Sequence, residues 1–169
     1  MNALFNSLVI AAGAVILATP LAIGAGWLLA RRNFPGKTLL HLLMLSPLVL
    51  PPVVTGYLLL SGLGRTSWLG ELLQSAMGLE LSFNTSAAVI AAMIMGLPLY
   101  VASVRIAIES VPRELEEVAE VSGATSFQIF RRVTLPASWS GIVAGALLAF
   151  ARGMGEFGAT VILAGHLQG

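Results

Sequence analysis

The sequence predicts an all-α polytopic membrane protein, on three observations. Hydrophobic residues make up 57% of the 169, with 18 glycines besides, where a soluble domain is roughly 45–50% apolar with glycine included. Charged side chains make up 10%, against about 25% in a soluble chain, too few to clothe a compact body in water. The apolar residues also gather into four stretches of about 20 residues or more, the length needed by a helix rising about 1.5 Å per residue to cross a hydrocarbon core about 30 Å thick. The same figures exclude other classes. Nine Lys and Arg stand against eight Glu and no Asp, a net charge of +1 that offers nucleic acid no basic field. Without cysteine there are no disulfides, thiolate metal sites or thiol catalysis.

The chain reads as one transmembrane domain over 1–169, with short loops between the spans. The first span runs from about Ser7 to Ala30. The segment before it, Met1 to Asn6, has neither Lys nor Arg, and the run exceeds the roughly 7–15 residues of a signal-peptide core, so it reads as a retained helix. The second span, Thr38 to about Leu63, holds Pro47, Pro51 and Pro52 in SPLVLPPVVTGY. Proline removes a backbone donor and breaks or kinks a helix, and a break at membrane depth is tolerated where it is buried or lines a cavity. Pro51 and Pro52 are therefore candidate pathway residues, the alternative being a kink that serves packing alone. The third span, about Ser86 to Val104, is uncharged.

Between Arg105 and Pro136 the spacing predicts two short helices. Pro112 suits a first turn, Glu114, Glu116 and Glu117 complement the N-terminal dipole, and Leu115, Val118 and Ala119 share a face. Gly123 supplies a left-handed stop, and Thr125 with Gln128 forms a capping box for the second helix. That helix carries Phe127, Ile129, Phe130 and Val133, with Arg131 and Arg132 in its last turn, and Leu135 and Pro136 are expected to end it. Neither helix can cross a bilayer, so both are suited to docking a soluble partner or lying on the membrane surface, or they form a solvated hairpin.

The fourth span, about Ala137 to Leu163, carries Arg152 and Glu156, four apart and hence on one face. Charge inside a bilayer costs about 2.5–3.5 kcal/mol per residue on insertion scales. The pair is either part of a translocation pathway or gate, with Arg152 facing a passing dianion, or an ion pair that pins the helix. Gly141 and Gly145 form a small-xxx-small pair that would admit a neighbouring helix. Arg31, Arg32 and Lys37 follow the first span and Arg105, Arg113, Arg131 and Arg132 lie between the third and fourth, whereas the loop between spans two and three has Arg65 alone. The positive-inside rule makes the two basic loops cytoplasmic and puts the N-terminus outside.

RELEEVAEVSGATSFQIFRRVTLP resembles the signature loop of ABC importer permeases, in which Glu-Ala-Ala is followed after three residues by Gly and after nine more by Ile, one variable residue, Leu and Pro. Glu117 and Ala119 fall on the Glu and second Ala, Gly123 on the glycine, and Leu135 and Pro136 on the final pair, with Val118 and Val133 as apolar replacements. RRNFPGK, PLVLPPVVTGYLLL and FARGMGEFGATVILAG extend the likeness over nearly the whole chain and point to the molybdate branch, with sulfate and tungstate permeases as close relatives. The resemblance implies a type I permease-like helix bundle in the bacterial cytoplasmic (inner) membrane, here without its last membrane helix, and hence a truncated form or fragment. Glu114, Glu117, Ala119, Gly123, Leu135 and Pro136 would then couple the chain to a cytoplasmic ATP-binding subunit that holds ATP and Mg, with no cofactor or metal bound by this chain. Further implied partners are an extracytoplasmic oxyanion-binding protein, a second permease copy in a homodimer, and membrane lipid. A dianion cannot cross hydrocarbon naked, so transport implies a water-filled cavity between subunits that opens to one side at a time.

Other readings find less support. Gly36, Lys37 and Thr38 look like the end of a phosphate-binding loop, but the glycine required five places earlier is Arg31. His41 and His166 form no HExxH motif and there is no Asp for an aspartyl dyad, so no catalytic residue is expected. An ATPase-independent channel or secondary transporter would call for paired broken helices in internal repeats, and none is seen.

Overall fold

Helices build almost everything in the computed structural model, which describes residues 3–51 and 85–166 together with positions 54, 57 and 61, and at 3, 85–87 and 156–166 the backbone alone. Helix α1 is Ala3–Arg31, α2 is Lys37–Val49 and α3 is Thr85–Glu109; α4 is Arg113–Val121 and α5 is Ser126–Ile129. A π-turn at Phe130–Thr134 leads into the short α6, Leu135–Ala137, and then α7, Trp139–His166. Among the described residues there is no strand.

Among the described residues, two helical stretches, Leu4–Arg31 and Ala88–Glu109, are long and apolar enough to cross a membrane, and the bent pair Ser126–Ala137 with Trp139–Gly155 qualifies if taken as one span. The sequence places the end of the third span at Val104, yet α3 continues to Glu109. Two contacts explain the extension. Val104 and Ile108 are fully buried, so the packed stripe continues, and Arg105 Nε donates to Glu109 Oε1 at 2.8 Å across one turn. In the second apolar stretch, α2 runs through Pro47 and stops at Val49. Leu50 turns extended, at φ −71° and ψ 139°, the conformation favoured before a proline, here Pro51. Pro52 and Arg65 lie outside the described residues.

α1, α3 and α7 pack on one another through small side chains. Ala18, Ala22, Tyr100, Val101, Ile142 and Ala149 are buried in the seam. A Cβ on Gly26 would stand 2.6 Å from Val104 Cγ1, one on Gly96 3.1 Å from the Ala149 carbonyl, and one on Gly145 2.8 Å from the Tyr100 ring; Gly141 would run into Ala107. The Gly141–Gly145 pair therefore serves the close approach of α7 to α3 that its spacing suggests. Two polar contacts fix the register. Thr19 Oγ1 and Tyr100 Oη are 3.1 Å apart, and Ser103 Oγ donates to the Gly141 carbonyl at 2.8 Å. Apolar side chains outside this seam, among them Ile16, Leu17, Leu42 and Leu147, are exposed, as lipid-facing or subunit-facing positions must be.

Candidate functional site

The helical hairpin from Pro112 to Ala137 forms the candidate site, and local rules account for most of its shape. α4 closes with paired bonds: Ala124 N donates to the Ala119 carbonyl at 3.0 Å and Gly123 N to the Glu120 carbonyl at 2.9 Å. This arrangement requires a left-handed residue at the turn, and Gly123 sits at φ +87°. Thr125 N then donates to Gln128 Oε1 at 2.8 Å and Gln128 N to Thr125 Oγ1 at 3.4 Å, completing the capping box that opens α5.

Leu135 and Pro136 do not end the second helix. The chain stays helical through Phe130–Thr134 and Leu135–Ala137 and bends by 69° only at Ser138. The π-turn resolves the conflict: the Leu135 N–H reaches back five residues to the Phe130 carbonyl, so the missing N–H of Pro136 falls in the first turn of a new segment, where it is tolerated. The Ser138 hydroxyl, buried at the bend, donates to the Thr134 carbonyl at 2.8 Å.

A charge cluster seats the hairpin against the membrane helices. Arg31, the last residue of α1, donates through Nε to Glu116 Oε1 at 3.1 Å and through Nη2 to the Val111 carbonyl at 2.9 Å, and its Nη2 stands 3.0 Å from Glu116 Oε1 as an ion pair. Thr134 Oγ1 donates to the same Glu116 oxygen at 2.6 Å. The Thr134 side chain is buried, and those of Arg31 and Glu116 are 10% and 20% exposed. Beside them Trp27 meets Phe130 edge to face at 5.8 Å, and the Arg32 guanidinium lies 5.6 Å over the Trp27 ring. A cavity of about 280 Å³ opens here, lined by Arg113, Glu117 and Glu120 as well as by this cluster.

α4 is thus amphipathic the wrong way round for a water-soluble element. Its charged side, Arg113, Glu116, Glu117 and Glu120, faces the cavity, while Leu115, Val118 and Val121 are exposed, Val121 by 91%. Phe127 on α5 adds a ring that is 69% exposed. Of the residues predicted for the loop, Glu114, Glu117, Gly123 and Pro136 are exposed and Ala119 is half-buried. Leu135 packs against the main core. Arg31, Glu116 and Thr134 as a bonded group escape the sequence reading.

The predicted pathway residues lie elsewhere. Pro51 is exposed beyond the end of α2, with its carbonyl accepting from Val54 N at 2.9 Å. Arg152 is half-buried on α7 beside Gly153, whose added Cβ would touch Ala11 of α1 and Ala92 of α3 at 3.5 and 3.7 Å. Glu156 is in the same helix, with its side chain outside the described set. Neither Pro51 nor Arg152 belongs to the hairpin: Pro51 follows the end of α2, and Arg152 lies midway along α7.

Residues 19–167 match the family model described as binding-protein-dependent transport system inner membrane component. A molybdenum transport system permease protein of Haemophilus influenzae is 41% identical over 169 residues, 100% of this chain and 74% of that one. The corresponding protein of Escherichia coli is 44% identical over 168 residues, 99% of this chain and 73% of its own length. A sulfate transport system permease protein of Synechocystis is 36% identical over 168 residues, 99% of this chain and 60% of the relative.

Proposed function

Because the chain belongs to the family of binding-protein-dependent transport system inner membrane components, we propose that it is the membrane-spanning permease subunit of an ATP-driven importer for molybdate. The inverted amphipathicity of α4 carries the reading. An exposed apolar face on a loop helix wants a covering partner, and its neighbourhood favours a cytoplasmic one. Arg31, Arg32 and Arg113 converge on the cavity behind the helix, so the loop occupies the basic side of the membrane and the N-terminus of α1 the other. The partner in this reading is an ATP-hydrolysing subunit that binds ATP and Mg, while the permease itself hydrolyses nothing. Leu115, Val118 and Phe127 form the contact, and Gly123 with the Thr125 cap fixes the angle between the two docking helices.

The seam of α1, α3 and α7 is filled by Ala18, Ala22, Tyr100 and Ala149. That packing supports a dianion path between permease subunits rather than through one, and hence a homodimer fed by an extracytoplasmic oxyanion-binding protein. Arg152, a positive charge in the membrane, is the residue of this chain suited to line that path or its gate. Molybdate is preferred as cargo because relatives named for molybdenum transport are 41–44% identical. Sulfate is the second reading, favoured by the Synechocystis relative at 36%.

The test is uptake of labelled molybdate by cells carrying the complete reading frame, with tungstate and sulfate as competitors. Uptake suppressed by tungstate, spared by sulfate and lost when Gly123 becomes a bulky residue meets the proposal. Uptake of sulfate but not molybdate keeps the machine and changes its cargo, and no copurifying ATPase in mild detergent refutes the importer.

A further inference from the structure

A partner pressing on the apolar face of α4 moves the membrane helices only through contacts that resist separation. Two hydrogen bonds from two other elements end on a single atom of α4: Glu116 Oε1 accepts from Arg31 Nε on α1 and from Thr134 Oγ1 in the π-turn, and Arg31 Nη2 completes the ion pair at 3.0 Å. Arg31 also grips the Val111 carbonyl, just before α4 begins. Glu116 lies on the cavity side of α4, away from exposed Leu115 and Val118. The π-turn matters to the arrangement. It inserts a residue into the helical turn, and a regular α-helix would leave α6 rotated by about 100° relative to Phe130. Ser138, where the 69° bend into α7 begins, is bonded in turn to the Thr134 carbonyl.

We propose that Glu116 is the positioning residue that converts movement of the loop into movement of the membrane helices, by clamping α4 at once to the end of α1 and to the elbow entering α7. The inference rests on the reading that α4 receives the ATP-hydrolysing subunit. Because the pair is largely desolvated, losing one partner leaves the other charge uncompensated, so the clamp holds or releases as a unit.

The experiment uses the assembled importer in proteoliposomes, with molybdate-loaded binding protein outside, and reads molybdate moved per ATP hydrolysed. Thr134→Val, which keeps the shape, is expected to lower that ratio roughly fivefold, the worth of one hydrogen bond, and Glu116→Gln by about tenfold or more, because it removes a charged partner. Both variants should retain the ATP-hydrolysing subunit and its basal hydrolysis, since the docking face is untouched. Exchanging the charges, Arg31→Glu with Glu116→Arg, should recover part of what Arg31→Glu alone loses, which a packing defect would not allow. An unchanged ratio in Thr134→Val and Glu116→Gln overturns the clamp, as does a fall in transport that merely tracks loss of assembled complex. A parent complex that holds no ATP-hydrolysing subunit overturns the docking reading and the clamp together, whereas a parent that holds one beside normally coupled variants overturns the clamp alone.

Discussion

Replacing Gly145 by alanine tests the helix packing on which the site stands. The new methyl would lie 2.8 Å from Tyr100 Cδ2 and 2.9 Å from Ser103 Cβ, where ordinary contact begins near 3.4 Å. Neither neighbour can yield cheaply. Tyr100 is 1% exposed with its hydroxyl 3.1 Å from Thr19, and the Ser103 hydroxyl is bonded to the Gly141 carbonyl. α3 and α7 must therefore part by about half an ångström, forfeiting contact along the seam. Overpacking of this kind costs about 1–3 kcal/mol, and exchanging glycine for alanine within a helix returns about 0.5–1 kcal/mol. The net effect is a loss of about 1 kcal/mol, and at most about 2.5. At Gly24 an added Cβ meets nothing within 4 Å, so Gly24→Ala should keep only the gain, and the two substitutions should differ in sign. SDS-induced unfolding of the purified protein in mixed micelles, followed by helical circular dichroism, measures both. If Gly145→Ala unfolds at the same or a higher SDS fraction than the parent, α3 and α7 do not meet as described.

Gly123 faces open space but holds φ +87°, so backbone strain of about 1–2 kcal/mol is the only intrinsic cost of a side chain there. Gly123→Asn, which tolerates that conformation, should keep molybdate uptake while Gly123→Val loses it; equal loss in both would shift the cause to crowding by the partner. Val118→Glu puts a charge on the exposed apolar face and should abolish copurification of the ATP-hydrolysing subunit while leaving the SDS unfolding of the permease unchanged. Arg152→Gln should slow uptake without loss of assembled complex. Normal uptake in that variant, with substrate preference intact, would assign Arg152 to pinning its helix instead.

Features set by neighbours along the chain are legible in the sequence. Thr125 and Gln128 announce their reciprocal bonds by spacing alone, and the Gly123 turn needs nothing beyond three or four residues of context. The Gly141–Gly145 pair is readable too, although its partners, Tyr100, Ser103 and Ala107, are not. Features that depend on distant residues stay hidden. Glu114, Glu116 and Glu117 look alike as partners for a helix dipole, and only the fold brings Glu116, rather than its neighbours, to Arg31, 85 positions away. Thr134 occupies the variable place in the loop motif, where sequence gives no reason to notice it, yet it is buried and bonded. Pro136 misleads for a different reason. A proline ordinarily ends a helix, but the π-turn before it absorbs the missing donor, and the bend moves to Ser138. Arg31 does carry a signal: a charge that closes an apolar span, on the side to which the positive-inside rule also assigns the glutamate-rich loop, invites pairing.

The outward-turned apolar side of α4 also has a consequence for how the protein is made. A permease without its soluble partner holds Val121 and Phe127 bare to water, a surface of the kind that drives association with whatever else is sticky. Exposed apolar surface of this kind is what chaperones and proteases act on. Covering the face ends the vulnerability. If α4 receives the ATP-hydrolysing subunit as proposed, the same face would single out copies that have not assembled.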